Sequence, residues 1–154
     1  MKKILVAYFS ASGITGAVAK ELSSALGADL YEIAAAEPYT DADLDWKNKK
    51  SRSSLEMTDE SSRPEIKDSV TDMAKYDTIL VGFPIWWGVE PRIVDTFLEA
   101  YDLSGKELIP FATSGGSGIG YAEKYLHKVH PKLNWQKGRL LKKGEASDWA
   151  KELK

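Results

Sequence analysis

A chain of 154 residues with 43% hydrophobic content is long enough to bury a substantial core, and its length is that of one domain, taken here as residues 1–154. Its 21 basic and 23 acidic side chains leave a net charge of −2, so there is no surplus of positive charge to neutralise a polyanion, and nucleic acid is not an expected partner. Cysteine is absent, which removes disulfides, thiolate nucleophiles, iron–sulfur clusters and cysteine-bound zinc; any redox chemistry must come from a bound cofactor.

Two lysines stand near the N-terminus, and only about six apolar residues follow before Ser10, too short for a signal-peptide core or a membrane span. A cytoplasmic protein with no membrane partner is the expectation. The apolar run "ILVAYF" from Ile4 reads as a strand buried on both faces, and Ile14, Val18, Leu22 and Ala25 then mark one face of a helix. A shorter strand is predicted at 30–33, with Tyr31 and Ile33 flanking Glu32.

Residues 37–63 break the pattern, being rich in Ser, Asp, Lys and Glu, with Trp46, Leu55 and Met57 scattered among them. Long connections of this kind are lids or solvated loops, and the isolated apolar residues leave both readings open. The run Lys47, Lys49, Lys50 and Arg52 is offset by Glu37, Asp41, Asp43 and Asp45, which argues for a solvated loop over a docking patch, although Arg52 could meet a substrate or cofactor.

Further on, Ile66, Val70 and Met73 have helical spacing, "ILVGF" from Ile79 reads as a second central strand, and Val89, Ile93 and Phe97 mark another helix. "LIPFA" from Leu108 is the third central strand, Ile119, Ala122, Leu126 and Val129 a fourth helix, 138–141 an edge strand, and Glu145 onward a fifth helix. Five β–α alternations with right-handed crossovers imply a doubly wound α/β sheet. In such a sheet ligands bind beyond the carboxyl ends of the strands, where the strand order reverses.

That rule selects three loops. "SASGIT" presents hydroxyls and helix-start N–H groups without a cation, an arrangement for a phosphate dianion or an ordinary serine cap. "PIWWGVEP" carries adjacent indoles past a strand end, where they pack under the long loop or stack on a planar ligand. "TSGGSGIG" lets backbone approach a ligand closely, or is a mobile turn. A flat heteroaromatic with a phosphate tail would satisfy all three together.

With these three segments, and with the polar stretch "YTDADLDWKNKKSRSS", the chain resembles the FMN-binding flavodoxins over nearly its whole length, in the subgroup with a long loop after the second strand. The resemblance implies a five-stranded parallel sheet in the order 2-1-3-4-5, helices on both faces and FMN at the switch point. It also implies that Ser10, Ser12, Gly13, Ile14 and Thr15 hold the phosphate. Pro84, Ile85, Trp86, Trp87 and Gly88 would flank the ring on one side, and Thr113, Ser114, Gly115, Gly116, Ser117 and Gly118 on the other. Three departures stand out: Ser12 and Ile14 replace the commoner Thr and Asn, the third loop lacks its usual tyrosine, and it carries no acid. Stacking then falls to Trp86, Trp87 or the long loop.

Rival chemistries are missing their residues. Ser10 and Pro84 stand where a response regulator needs acids, and neither G-x-x-x-x-G-K-[ST], G-x-G-x-x-G nor G-x-S-x-G occurs. His127 and His130 lack a clustered third ligand and read as surface histidines. Two functions remain: a low-potential electron carrier between a flavodoxin reductase and an acceptor enzyme, or an FMN-dependent NAD(P)H or quinone reductase. The carrier is preferred because no proton donor or separate nicotinamide domain is evident; a monomer suits it, whereas dimer-built pockets suit reductases. Glu90 is the only acid in the second loop, which points to a second-electron potential less extreme than that of flavodoxins with acidic cofactor rims.

Overall fold

The three apolar runs become the centre of a parallel sheet because residues of both parities have a partner layer. The computed structural model describes residues 3–153. Its strands are β1 (Ile4–Tyr8), β2 (Asp29–Glu32), β3 (Thr78–Pro84), β4 (Glu107–Thr113), β5 (Asn134–Trp135) and β6 (Arg139–Leu140). The helices are α1 (Ile14–Leu26), α2 (Arg52–Thr58), α3 (Arg92–Glu99), α4 (Gly120–Val129) and α5 (Ala146–Leu153).

Every strand pair is parallel, in the order β2-β1-β3-β4-β5, with β6 also on β4. This is the anticipated 2-1-3-4-5 arrangement, with its fifth position filled by two short strands. Leu5, Ala7, Ile79, Val81, Phe83 and Leu108 pack with Ile93 and Phe97 of α3 and Leu126 of α4. Alternate residues Val6, Leu80, Ile109 and Phe111 face Val18 and Leu22 of α1 and Trp149 of α5. Full burial of side chains such as Phe83, Phe97 and Phe111 stabilises the sheet by about 1.5–3 kcal/mol each. Gly82 is small for the sake of Phe111, whose Cζ would lie 2.1 Å from a Cβ there.

The edge strand is split for a reason in β4. Leu108 O accepts from Gln136 N–H and Ala112 O from Leu141 N–H, so Pro110 faces the same edge with no N–H to offer. Gly138 crosses at that point, where a Cβ would fall 2.1 Å from Pro110 O.

The helix predicted around Ile66, Val70 and Met73 is not formed beyond a single 3₁₀ turn, Met73–Lys75. Its backbone donors go elsewhere: Lys67 N–H to Ala34 O at 2.8 Å and Val70 N–H to the Tyr101 hydroxyl at 2.8 Å, with Ile66 bridged to Ala35. The segment lies along the strand end after β2, and its apolar residues reach the core from an extended chain. In its place as a helix stands α2, inside the polar 37–63 segment. Among the described residues no helix is long and apolar enough to cross a membrane.

Gly138→Ala forces its methyl against backbone and is expected to destabilise by about 1–3 kcal/mol in urea unfolding. Gly115→Ala, with nothing within 4 Å of the added carbon, is expected to leave the midpoint close to wild type.

Candidate functional site

Strand order reverses between β1 and β3, and the loops leaving both strands meet there. Helix α1 begins at Ile14 because Gly13 adopts φ 92°, a left-handed conformation that glycine enters without strain. Ser10 Oγ accepts from Gly13 N–H at 3.1 Å and Gly16 N–H at 3.0 Å, which closes the loop around the helix start. Thr15 is turned inward instead, its hydroxyl 2.7 Å from that of Thr113, so β4 is tied to α1. Ser12 is exposed, and Ile14 projects into solvent. The positive end of a 13-residue helix faces this loop, which favours an anion.

After β3 the chain turns at once. Trp86 and Val89 exchange both backbone hydrogen bonds, at 2.9 and 3.0 Å, around Trp87 at φ 51° and Gly88 at φ 84°. Two consecutive left-handed residues make the tight turn of a primed type, which for a tryptophan costs roughly 1–2 kcal/mol. The consequence is an indole held outside, 49% exposed at Trp87. Trp86 is fixed instead, edge-on to Phe9 at 5.6 Å and to Tyr39 at 5.7 Å between ring centroids.

Tyr39 belongs to the 37–63 segment, which folds back as a roof. Burial, then Glu56, raises the Tyr39 phenol far above its ordinary pKa; its hydroxyl donates to Glu56 Oε1 at 2.6 Å, and the Arg52 guanidinium covers its ring at 3.8 Å. Arg52 also donates to Glu37 O and Glu56 Oε2, so it is spent on the roof itself. Ser51 caps α2. At the other end, buried Arg92 of α3 donates to Glu56 O at 3.3 Å, Met57 O at 2.9 Å and the Tyr125 hydroxyl at 3.2 Å. Arg63 grips the Glu99 carboxylate with two bonds of 2.9 Å. Met57 packs with Val89 and Tyr125 beneath.

Between roof and sheet edge lies a cavity of about 530 Å³. Ala11 and Ser12 line it from the first loop, and Pro84, Ile85, Trp86 and Trp87 from the second. The roof supplies Leu44, Trp46 and Ser53. The third loop does not reach it: Thr113 is buried against Thr15, and Ser114 Oγ accepts from Gly116 and Ser117 N–H, curling the loop onto itself with Gly115 and Gly116 exposed. Gly118 is likewise exposed and borders no part of the cavity. Gly88 stands against the Tyr121 ring rather than the cavity.

Glu90 is not at a rim. It is fully buried, and neither carboxyl oxygen has a donor among the described residues. Burial, and secondarily Asp95, holds its pKa far above the usual carboxylate range, so at neutral pH it is uncharged. Asp95 in turn meets His130 Nε2 at 2.8 Å, so His130 is a buried partner and not a surface residue. His127 lies against Trp135 instead, and the two histidines do not converge. Apart from Trp46, noted from sequence only as an isolated apolar residue of the long segment, the residues missed are Ala11, Leu44, Ser53 and Arg92. Only Arg92 carried a signal, a charged residue at the start of an otherwise apolar helix face.

The sequence profile of the flavodoxin family matches residues 3–153. A protein from Bacteroides eggerthii assigned as a flavoprotein is 51% identical with a TM-score of 0.93, the match covering 99% of this chain and 98% of that one. A flavoprotein from Lactobacillus acidophilus, solved in complex with FMN, is 26% identical with a TM-score of 0.80 over 97% of this chain and 99% of that one. Oxidised flavodoxin 2 from Bacillus cereus, at 20% identity and a TM-score of 0.58 over 96% and 94% of the two chains, shares the fold. No curated protein matches the chain.

Two outcomes are expected from the buried polar groups. Because the folded pKa of Glu90 is raised, the native state holds a proton the unfolded chain releases, and stability falls as pH rises above the ordinary value of 4.5. Glu90→Gln has no ionisable proton to lose and is expected to exceed wild type in urea stability by a margin that grows with pH from 5 to 8. Arg92→Met leaves two roof carbonyls without their donor; a loss of about 2–4 kcal/mol is expected, with amide exchange accelerated in 52–63 before the sheet.

Proposed function

The chain belongs to the flavodoxin family, and from that premise we propose that it binds FMN and carries single electrons at low potential between a flavodoxin reductase and an acceptor enzyme. The observation that carries this reading is the cavity at the switch point, which joins the loop leading into α1, at Ala11 and Ser12, to two indoles. The residues present fit the group: an anion-favouring helix start at one end, and an apolar, aromatic-lined space of about 530 Å³ at the other. Ser12 and the first-turn backbone of Ile14 and Thr15 would hold the phosphate, with Ser10 and Gly13 shaping the loop. Pro84 to Trp87 would border the ring.

Bound FMN would supply the one-electron chemistry. The protein's part is binding, orientation and local charge. Trp86, locked edge-on by Phe9 and Tyr39, gives the pocket a fixed wall, and Trp87 gives it a freer one. Since Glu90 is buried and uncharged at neutral pH, the second loop brings no carboxylate charge toward the ring, which supports a less extreme second-electron potential than an acidic rim would impose.

A second reading, an FMN-dependent NAD(P)H or quinone reductase, draws support from the roof, whose Leu44 and Trp46 add a wall that a carrier with an open flavin edge does not need. The visible spectrum of the FMN-loaded, desalted protein under anaerobic conditions tests both. Flavin colour that survives desalting and is not bleached by NADH or NADPH is the expected result. Prompt bleaching by either nucleotide would replace the carrier by the reductase, and colourless protein after desalting would remove the flavin premise.

A further inference from the structure

Trp46 is the most exposed large aromatic side chain of the roof, at 67% of its full accessibility, although the segment that carries it is firmly anchored. Exposed indole surface has a hydration cost, and nothing in the packing of the roof compensates for it. Among the described residues its ring contact is Lys47 Nζ, 5.5 Å from the centroid. Yet Trp46 lines the same cavity as Trp86 and Trp87, and no ring contact joins it to either. Two aromatic surfaces from separate parts of the chain thus border one space without filling it.

The third loop has no comparable surface. It contains no aromatic residue between Thr113 and Gly120, its amides at Gly116 and Ser117 are taken by Ser114 Oγ, and it does not line the cavity. A planar ring in the cavity therefore finds one aromatic wall from the second loop and its other from the roof. We propose that Trp46 is a stacking residue for the isoalloxazine of FMN, and that the 37–63 segment, held by Arg92, replaces the third loop as the second wall of the ring site. The inference rests on the FMN reading above.

The anchoring makes this a fixed wall rather than a swinging one. Arg92 binds the last carbonyls of α2 at Glu56 and Met57 from a buried position in α3, and Arg63 with Glu99 and Tyr125 with Glu60 pin the chain that follows. On the near side Tyr39 rests against Phe9 and Trp86, so the roof and the second loop share one aromatic cluster. Leu44 lies between these anchors in a run of turns, with its N–H bonded back to the Thr40 and Asp41 carbonyls. Trp46 is two residues on. Arg92 is accordingly a positioning residue, acting on the ring site through the roof.

The test is FMN titration of the apoprotein, followed by flavin fluorescence, for wild type, Trp46→Ala, Trp46→Phe and Trp87→Ala. Trp46→Ala is expected to weaken FMN binding about tenfold and to raise the fluorescence of bound flavin, because a stacked indole quenches it by electron donation. Trp46→Phe should recover most of the affinity but little of the quenching. The urea midpoint of each apoprotein should stay at the wild-type value, since the side chain is exposed. If Trp46→Ala binds FMN and quenches it as wild type does, while Trp87→Ala does not, the roof is no wall of the ring site and the proposal is overturned with the flavin reading intact. If the wild-type apoprotein itself takes up no FMN, the flavin reading fails first.

Discussion

Because the middles of β1, β3 and β4 are buried on both faces by apolar side chains, their polar residues, such as Thr78 and Thr113, stand at the strand ends, and chemistry is pushed there. Parallel strands need crossovers, and each crossover returns the chain to the same end, so every loop that follows a strand collects at one edge. The phosphate-type loop, the Trp turn and the glycine loop are neighbours for that reason alone. The reversal between β1 and β3 then opens the crevice in which two of them line a cavity.

What the sheet does not supply is a cover, and here the chain uses charge where a larger protein would use a second layer of apolar residues. The roof is mostly polar, and its attachment is a buried guanidinium that satisfies helix-end carbonyls. Arg92 loses hydration in reaching Glu56 and Met57, and that loss is offset only because it finds three oxygen acceptors in good positions. The arrangement is demanding in geometry, so it sets one position for the roof where a greasy contact would tolerate several. Arg52 over Tyr39 and the Arg63–Glu99 fork serve the same end at more exposed places.

The same region stores two unfavourable features. Trp87 sits in left-handed backbone that a glycine or asparagine would enter at lower cost, and Glu90 is an acid without a donor in the interior. Both follow the end of β3, within six residues of Pro84. Strain of this kind persists only where the surroundings over-determine it. The Trp86–Val89 hydrogen bonds hold the first, and the packing of α3 and α4 around Asp95 and His130 holds the second.

Much of the scaffold was legible as spacing. Runs such as "ILVAYF" and "LIPFA" are apolar at both parities, which only a two-sided strand explains, and the spacing of Val18 and Leu22 places the buried face of α1, although Ile14 projects into solvent. A cation-free hydroxyl loop and paired indoles beyond a strand end pointed to two of the loops that line the candidate cavity. Spacing failed where a contact joins distant positions. Ile66, Val70 and Met73 have helical periodicity, but the N–H groups of Lys67 and Val70 are claimed by Ala34 and by Tyr101, 31 residues from Val70. Pro110 divides the edge strand because of what crosses it at Gly138, and Glu90 looks like a rim acid until α3 turns it inward. The sequence by itself determined the three central strands, the helices that pack on them and which loops are candidates for the chemistry, because burial on one face or two is a local, periodic demand. Only the tertiary structure decided which of those loops share a cavity and that a polar segment closes it, because the hydrogen bond from Arg92 to Met57 spans 35 residues and no local pattern encodes it.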